Sequence, residues 1–352
     1  MTARPELRGV TIAGTGMYVP DRVLNNRDLE KMVETSDEWI RERTGIVERR
    51  IAADDQASSD LAVIAARRAL ESAGVDVSEV DQIIVATTTP DRILPSCACT
   101  VQHKLGAKRA AGYDLFAACT GFIYGLAVGR GQVATGMAET VLVIGVETLS
   151  RITNYKDRNT CVLFGDGAGA VVLRPCAVGE GLLSIVMQSD GDLNDMLEIP
   201  AGISRNMITA DGIDAGDTFI HMKGKELFKV AVRSMSDSLQ QALQESDIAP
   251  AGLELVIPHQ ANLRIIDAVR ERLGMPVEKV VVNIERYGNT SSASIPISLD
   301  EQVRAGKVKK GDAIGFVAFG GGVTWGASVM RWTQPVVPNP VPVPTLAAEA
   351  SA

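Results

Sequence analysis

The feature that most restricts how this chain can fold is an order of elements that occurs twice. Leu105-Gly106 stands before Cys119, and Leu273-Gly274 stands before Asn289. Gly136 lies 17 residues after Cys119, and Gly306 lies 17 residues after Asn289. Each glycine is followed by a strand-like run, 141–144 in one copy and 313–317 in the other. His259 falls 15 residues before Gly274, at the end of an apolar run. Matched spacing joined to matched elements reads as an internal duplication. The expected organisation is an N-terminal half over 1–177, a C-terminal half over 178–333 and a Pro/Ala-rich tail over 334–352.

Within each half, apolar runs alternate with helical patterns. Runs at 83–86, 115–117, 141–144, 280–282 and 314–317 are continuously apolar rather than alternating, and 253–257 is a further strand-like run. Such strands belong to a sheet covered on both faces, which places the chain in the α/β class. Helical periodicity marks 58–73, with Gly74 as its stop, and then 223–245 and 261–273. The 352 residues, 46% of them hydrophobic, suffice for a large core.

Charge and composition exclude several classes. The net charge of −8 argues against general nucleic-acid binding. The N-terminus lacks the pattern of a signal peptide, and no apolar stretch is long enough for a membrane span. The five cysteines form no Cys-x-x-Cys pair and no Cys/His cluster, so neither a disulfide frame nor a metal site is indicated. A reducing, cytoplasmic setting is expected. The prolines of the tail suit an unpacked extension.

Three residues stand where chemistry is possible. Cys119, in DLFAACTGF, follows a strand and opens a helical pattern. The positive end of a helix dipole there favours thiolate. The same residue also reads as a small buried hydrophobe. His259 ends an apolar run in VIPHQAN, where it can exchange a proton or simply cap a strand. Asn289, in YGNTSS, taken alone is ordinary turn chemistry. The repeat places it opposite Cys119, and two halves packed about a pseudo-two-fold axis bring the two turns together. The run FGGGVTWG, 319–326, lets a backbone approach a ligand with its N–H groups forward, or forms a plain hairpin. Gly14-Thr15-Gly16 and Gly165-Asp166-Gly167-Ala168-Gly169 do not complete a dinucleotide-binding motif and read as packing and turn glycines.

Taken together, TSDEWIRERTGI, AACTGF, FGDGAGA, PHQANLRII, GNTSSASIP and AFGGGVTWG resemble the β-ketoacyl-acyl carrier protein synthase III family over about residues 8–332. The resemblance implies a thiolase fold, five-layered α-β-α-β-α with two pseudo-symmetric halves, in a homodimer. It implies decarboxylative condensation of an acyl-CoA primer with malonyl-acyl carrier protein, with no metal and no cofactor, coenzyme A thioester being a substrate. By motif match, Cys119 is the nucleophile, His259 and Asn289 complete the triad, and the N–H groups of Cys119 and Gly321 form an oxyanion hole. Trp39, Arg43, Arg158 and Asn262 look like coenzyme A contacts. Leu94, contributed by the partner subunit, and Phe319 look like acyl-pocket residues. Lys229 and Arg264 look like part of the carrier-protein dock. A same-fold enzyme that passes the Cys119 acyl group to another nucleophile is the nearest alternative. A non-catalytic binder of acyl chains is a more distant one.

Overall fold

The computed structural model of the chain describes residues 7–336. The first six residues and the stretch from 337 onward, with most of the expected tail, lie outside the described residues.

Nine strands form one sheet: β1 (Gly9–Tyr18), β2 (Gln82–Ala86), β3 (Ala111–Leu115), β4 (Val141–Thr148), β5 (Asp166–Cys176), β6 (Gly181–Ser189), β7 (Leu255–Pro258), β8 (Ala313–Gly320) and β9 (Thr324–Arg331). They lie side by side in the order β7-β8-β9-β6-β1-β5-β4-β2-β3. A single parallel pairing, Val10 with Gly181, joins β1 to β6 at the centre. On one side the order runs β1-β5-β4-β2-β3, and on the other it runs β6-β9-β8-β7. The second series repeats the first, with Val280 bridged to Val256 of β7 where a counterpart of β3 belongs.

The expected strand at 280–282 is reduced to that bridge for a local reason. Val281 N–H donates to the Val256 carbonyl at 2.9 Å. The next two free N–H groups, of Asn283 and Ile284, both donate to the side-chain oxygen of Gln260. A side chain has replaced the neighbouring strand as acceptor, and the chain leaves the sheet. Similarly, β3 stops at Leu115, one residue before Phe116 turns out to solvent.

Helices complete the layers. The helices α2 (Ser58–Ala73) and α3 (Cys97–Leu105) cover the outer face of the β1 side. The helix α5 (Gly224–Glu245) covers the outer face of the β6 side, with α6 (Leu263–Arg272) against it. Between the two half-sheets lie α4 (Gly121–Ala134) and α7 (Ser294–Arg304). The result is the α-β-α-β-α arrangement of the thiolase fold. The helix α1 (Asp37–Thr44) lies outside these layers, near α6.

The two central helices are buried for different reasons, α4 by its apolar residues and α7 by internal partners for its polar ones. Helix α4 carries Phe122, Ile123, Leu126 and Val133 into the core between the half-sheets. Every residue of α7 from 294 to 303 is buried, including Asp300 and Glu301. Glu301 is compensated by Arg286 at 2.6 Å, the Tyr287 hydroxyl at 2.6 Å and the Asn283 amide at 2.9 Å. Removing one member would strand a charge in the core, which is the costly way to break such a set.

Gly136 and Gly306, the glycines that anchored the repeat, both take left-handed φ, 76° and 69°, just beyond the C-terminal ends of α4 and α7. A side chain there would be strained, so both positions favour glycine. Gly14 and Gly16 lie within β1, where a Cβ would collide with backbone atoms of α2. Gly167 and Gly169 belong to β5 and face Ile297 and Pro296 of α7. They are close-packing positions inside strands, and the turn reading of them does not hold.

Candidate active site

Each central helix begins with a strained turn. Ahead of α4, Ala118 adopts φ 45°, and ahead of α7, Ser291 adopts φ 48°. In each case the residue opens a short 3-10 segment, Ala118–Thr120 or Ser291–Ala293, that runs directly into the helix. A non-glycine residue in this region costs of order 1–3 kcal/mol, so surrounding contacts must hold it.

The repeat therefore aligns differently at its two ends. Matched at the left-handed glycines, Cys119 faces Asn289. Matched at the strained turns, Cys119 faces Ser292, and Asn289 stands three residues upstream. The discrepancy arises because α4 has 14 residues and α7 has 11. The sequence spacing followed the glycines and missed the shortened helix.

The Cys119 turn is held by the hairpin between β8 and β9. A Cβ added to Gly320 would stand 2.7 Å from the Cys119 nitrogen, so only glycine lets the strand end meet the turn. The Thr120 hydroxyl and the Thr324 hydroxyl are 2.6 Å apart, and Thr120 also donates to the Ala117 carbonyl at 2.6 Å. Asn289 is fixed by its backbone, which donates to the Leu163 carbonyl at 2.8 Å and accepts from Gly165 N–H at 3.0 Å. Its side-chain oxygen accepts from Ser291 N–H at 2.9 Å, leaving the NH₂ group as the available donor. His259 follows the end of β7, and its N–H donates to the Val317 carbonyl at 2.8 Å. Its Nδ1 lies 2.7 Å from the Ser294 hydroxyl. Cys119, His259 and Asn289 all line one cavity of about 830 Å³.

The electrostatics reverse one expectation. The Cys119 thiol is pushed up to about 12, first by burial, then by the nearby Glu147 carboxylate, with a hydrogen bond from Ser291 opposing. The thiolate expected from the helix dipole is not the resting state, because loss of hydration outweighs the dipole. Burial also lowers His259 to about 3, so its imidazole is neutral. The resting pair is thiol and neutral imidazole.

Two family models match the chain. One, described as 3-oxoacyl-[acyl-carrier-protein (ACP)] synthase III, covers residues 113–191. The other, the C-terminal part of the same synthase, covers residues 243–332. A β-ketoacyl-[acyl-carrier-protein] synthase III of Symbiobacterium thermophilum is 52% identical over 327 residues, which is 93% of this chain and 99% of that protein. The chain belongs to the β-ketoacyl-acyl carrier protein synthase III family. A relative of the same description from Roseiflexus sp. is 50% identical over 92% of this chain and 98% of its own length. Among solved structures, the 3-oxoacyl-[acyl-carrier-protein] synthase III of Aquifex aeolicus superposes with a TM-score of 0.85 at 49% identity, covering 92% of this chain and 100% of its own. The priming β-ketosynthase of the R1128 polyketide pathway superposes with a TM-score of 0.87 at 36% identity, covering 94% and 98%.

The remaining residues singled out by family resemblance fall into three groups. Trp39, Arg43, Asn262, Phe319, Lys229 and Arg264 line the same cavity as the triad. Arg158 is stacked on the Trp39 ring at 4.0 Å from its centroid, and Arg43 stands 6.0 Å away. Asn262 is already engaged: its oxygen accepts from Arg264 N–H at 2.9 Å as the cap of α6, and its NH₂ donates to the Arg43 carbonyl at 3.1 Å. Gly321 adjoins the cavity-lining Gly320 and lies against Leu197. Leu94 is 84% exposed and does not reach this chain's own cavity.

Sequence reasoning missed Glu147, Ser291 and Ser294. Ser294 was hidden in a serine-rich run that looked like turn chemistry. Glu147 did leave a signal, a lone acid in the apolar run VLVIGVET of β4.

Proposed function

We infer that this chain is a condensing enzyme that loads an acyl group on Cys119 and joins it to the carbanion released by decarboxylation of malonyl-acyl carrier protein. This is the step that initiates fatty-acid synthesis. The observation that carries the reading is the convergence of Cys119, His259 and Asn289 on one cavity, in a chain half identical to synthases over nearly their full length.

The geometry supports a division of labour. Ser294 Oγ has one hydrogen and two acceptors within reach, the Ser291 carbonyl at 2.9 Å and His259 Nδ1 at 2.7 Å. With that hydrogen on the carbonyl, Nδ1 carries the ring proton and Nε2 is a base. In this state His259 takes the Cys119 proton as sulfur attacks the primer thioester, and returns it to the departing coenzyme A sulfur. With the hydrogen on Nδ1, Nε2 carries the proton and becomes a donor. In that state His259 and the Asn289 amide both donate to the thioester oxygen on which charge gathers during decarboxylation. Backbone N–H groups of Cys119 and Gly321 serve the tetrahedral intermediate. Carbon–carbon bond formation then frees the Cys119 sulfur.

Coenzyme A enters beside Trp39, Arg43, Arg158 and Asn262, with Phe319 along the acyl path, and neither a metal nor a further cofactor is needed for these steps. Lys229 and Arg264 at the cavity receive the acidic carrier protein. A homodimer fits the exposed edge strand β3, beside which Phe116 is 78% exposed and which Leu94 would accompany into a partner's acyl pocket. Among the described residues no helix is long and apolar enough to cross a membrane, and we assign the enzyme to the cytoplasm.

The decisive assay supplies acyl-CoA and malonyl-acyl carrier protein and measures carbon dioxide release together with β-ketoacyl product. Acylation of Cys119 without carbon dioxide release would instead support transfer to another nucleophile. The likeness to the polyketide priming ketosynthase favours one related reading, condensation in secondary metabolism. A panel of acyl-CoA primers from acetyl to long-chain, with adducts quantified by mass, separates the two.

A further inference from the structure

The Glu147 carboxylate near the end of β4 is fully buried and has no basic partner among its hydrogen bonds. Its donors come from two directions. From the loop after β2, Thr88 donates through its N–H at 3.1 Å and its hydroxyl at 3.0 Å, and Thr89 donates through its hydroxyl at 2.7 Å. From the turn before α7, the Ser291 hydroxyl donates at 3.1 Å, and the Ser292 hydroxyl, whose hydrogen goes to the Ala86 carbonyl, lies 3.2 Å away. A carboxylate can be kept in a core by several donors, but leaving it there without use in place of an apolar residue brings no stability.

What it holds is a residue that bonds Asn289 directly and reaches His259 through Ser294. Ser291 N–H donates to the Asn289 side-chain oxygen at 2.9 Å. The Ser291 carbonyl accepts from Ser294 Oγ at 2.9 Å, and that hydroxyl lies 2.7 Å from His259 Nδ1. Beyond the effect of burial, the Ser291 hydroxyl and the Glu147 carboxylate both act on the Cys119 thiol, the first lowering its pKa and the second raising it. Ser291 does this from a strained backbone, φ 48°, which surrounding contacts must maintain.

We propose that Glu147 is a positioning residue, whose buried carboxylate clamps Ser291 in its strained turn and thereby sets the mutual geometry of Cys119, His259 and Asn289. This rests on the triad reading above. The Trp39–Arg158 contact lies elsewhere on the cavity, so primer binding is independent of the clamp.

The test is a double-mutant cycle on the full chain with Glu147→Gln and Ser291→Ala, following acyl transfer and carbon dioxide release separately. A displaced reacting group costs on the order of a hundredfold, and that is the expected fall in kcat for carbon dioxide release with Glu147→Gln. KM for acyl-CoA should change less than about twofold, because the clamp touches no primer contact. The double variant should be no slower than the slower single variant, since both break one chain of contacts. Losses that multiply, or a loss confined to KM, would overturn the proposal. So would wild-type kcat in Glu147→Gln. Should Glu147→Gln not fold, Glu147→Asp takes its place in the cycle with the same criteria. Inactivity of the wild-type chain itself, by contrast, would tell against the triad reading rather than the clamp.

Discussion

The turn before α4 and the turn before α7 are built alike and do different work. Both open with a residue at positive φ, both run through a 3-10 segment, and both are seated on the strand end of the opposite half. Gly320 of β8 meets the Cys119 turn, while Gly145 and Glu147 of β4 meet the Ser291–Ser292 turn. The difference lies in what the seat offers. The glycine seat brings an apolar strand end against Cys119, which lines the cavity. The glutamate seat surrounds Ser292 with acceptors, and its hydroxyl donates to the Ala86 carbonyl at 2.8 Å. One fold position thus carries the cavity-lining Cys119 thiol, and its counterpart carries a hydroxyl bonded within the core. From the second half it is Asn289, three residues upstream, that lines the cavity.

The largest effect should come from removing the thiol. Cys119→Ala is expected to lose all acyl adduct on incubation with acyl-CoA, read by intact mass. The sharper version restores a thiol at the counterpart position. Ser292→Cys in the Cys119→Ala background should remain unacylated, because that position faces Glu147 and the Ala86 carbonyl rather than the cavity. An adduct there would mean that the turn, and not its seat, confers reactivity.

Next in size is Asn289→Ala. Loss of one donor to a developing oxyanion typically costs about 10²–10³ in rate, and carbon dioxide release should fall accordingly. Acyl transfer should fall much less. Equal losses would contradict the separate roles of the two turns.

Gly320→Ala tests the glycine seat. The added methyl meets the Cys119 backbone at 2.7 Å, so overpacking of about 1–3 kcal/mol is expected, visible as a lower Tm with slowed acylation. A corresponding change at the glutamate seat would not press on Cys119.

The smallest expected effects are in pH dependence. With the Cys119 thiol raised to about 12, alkylation by iodoacetamide should keep rising to pH 10, with no plateau near the ordinary thiol range. His259, lowered to about 3, makes a stability contribution of the opposite reach. Between pH 6.5 and 3 the unfolded chain binds a proton that the folded chain refuses. Its contribution is therefore intact above about 6.5 and lost on acidification, and the difference in Tm between wild type and His259→Gln should shrink as pH falls.

Much of this arrangement was legible in the sequence. The continuous apolar runs at 83–86 and 141–144 required a sheet covered on both faces, and the glycines at 136 and 306 marked matching points of the two halves. Cys119 and His259 stood out at the ends of apolar runs, and Asn289 only because the repeat set it opposite Cys119. Helix α7 defeated the spacing argument because its loss of a turn changes the register at one end only. The strand at 280–282 failed because a single side chain, Gln260, took over the role of a neighbouring strand.

By itself the sequence showed the α/β alternation and the repeat, because periodicity and glycine placement are local properties of the chain, while the five layers and the roles of Cys119, His259 and Asn289 came from the resemblance its motifs carry. Only the tertiary structure decided the protonation state of Cys119, the hydrogen-bond partner of His259 and the contacts of Glu147. Those depend on burial and on atoms far apart in the chain, 35 residues for His259 and Ser294 and 144 for Glu147 and Ser291, and no local pattern encodes the distance between them.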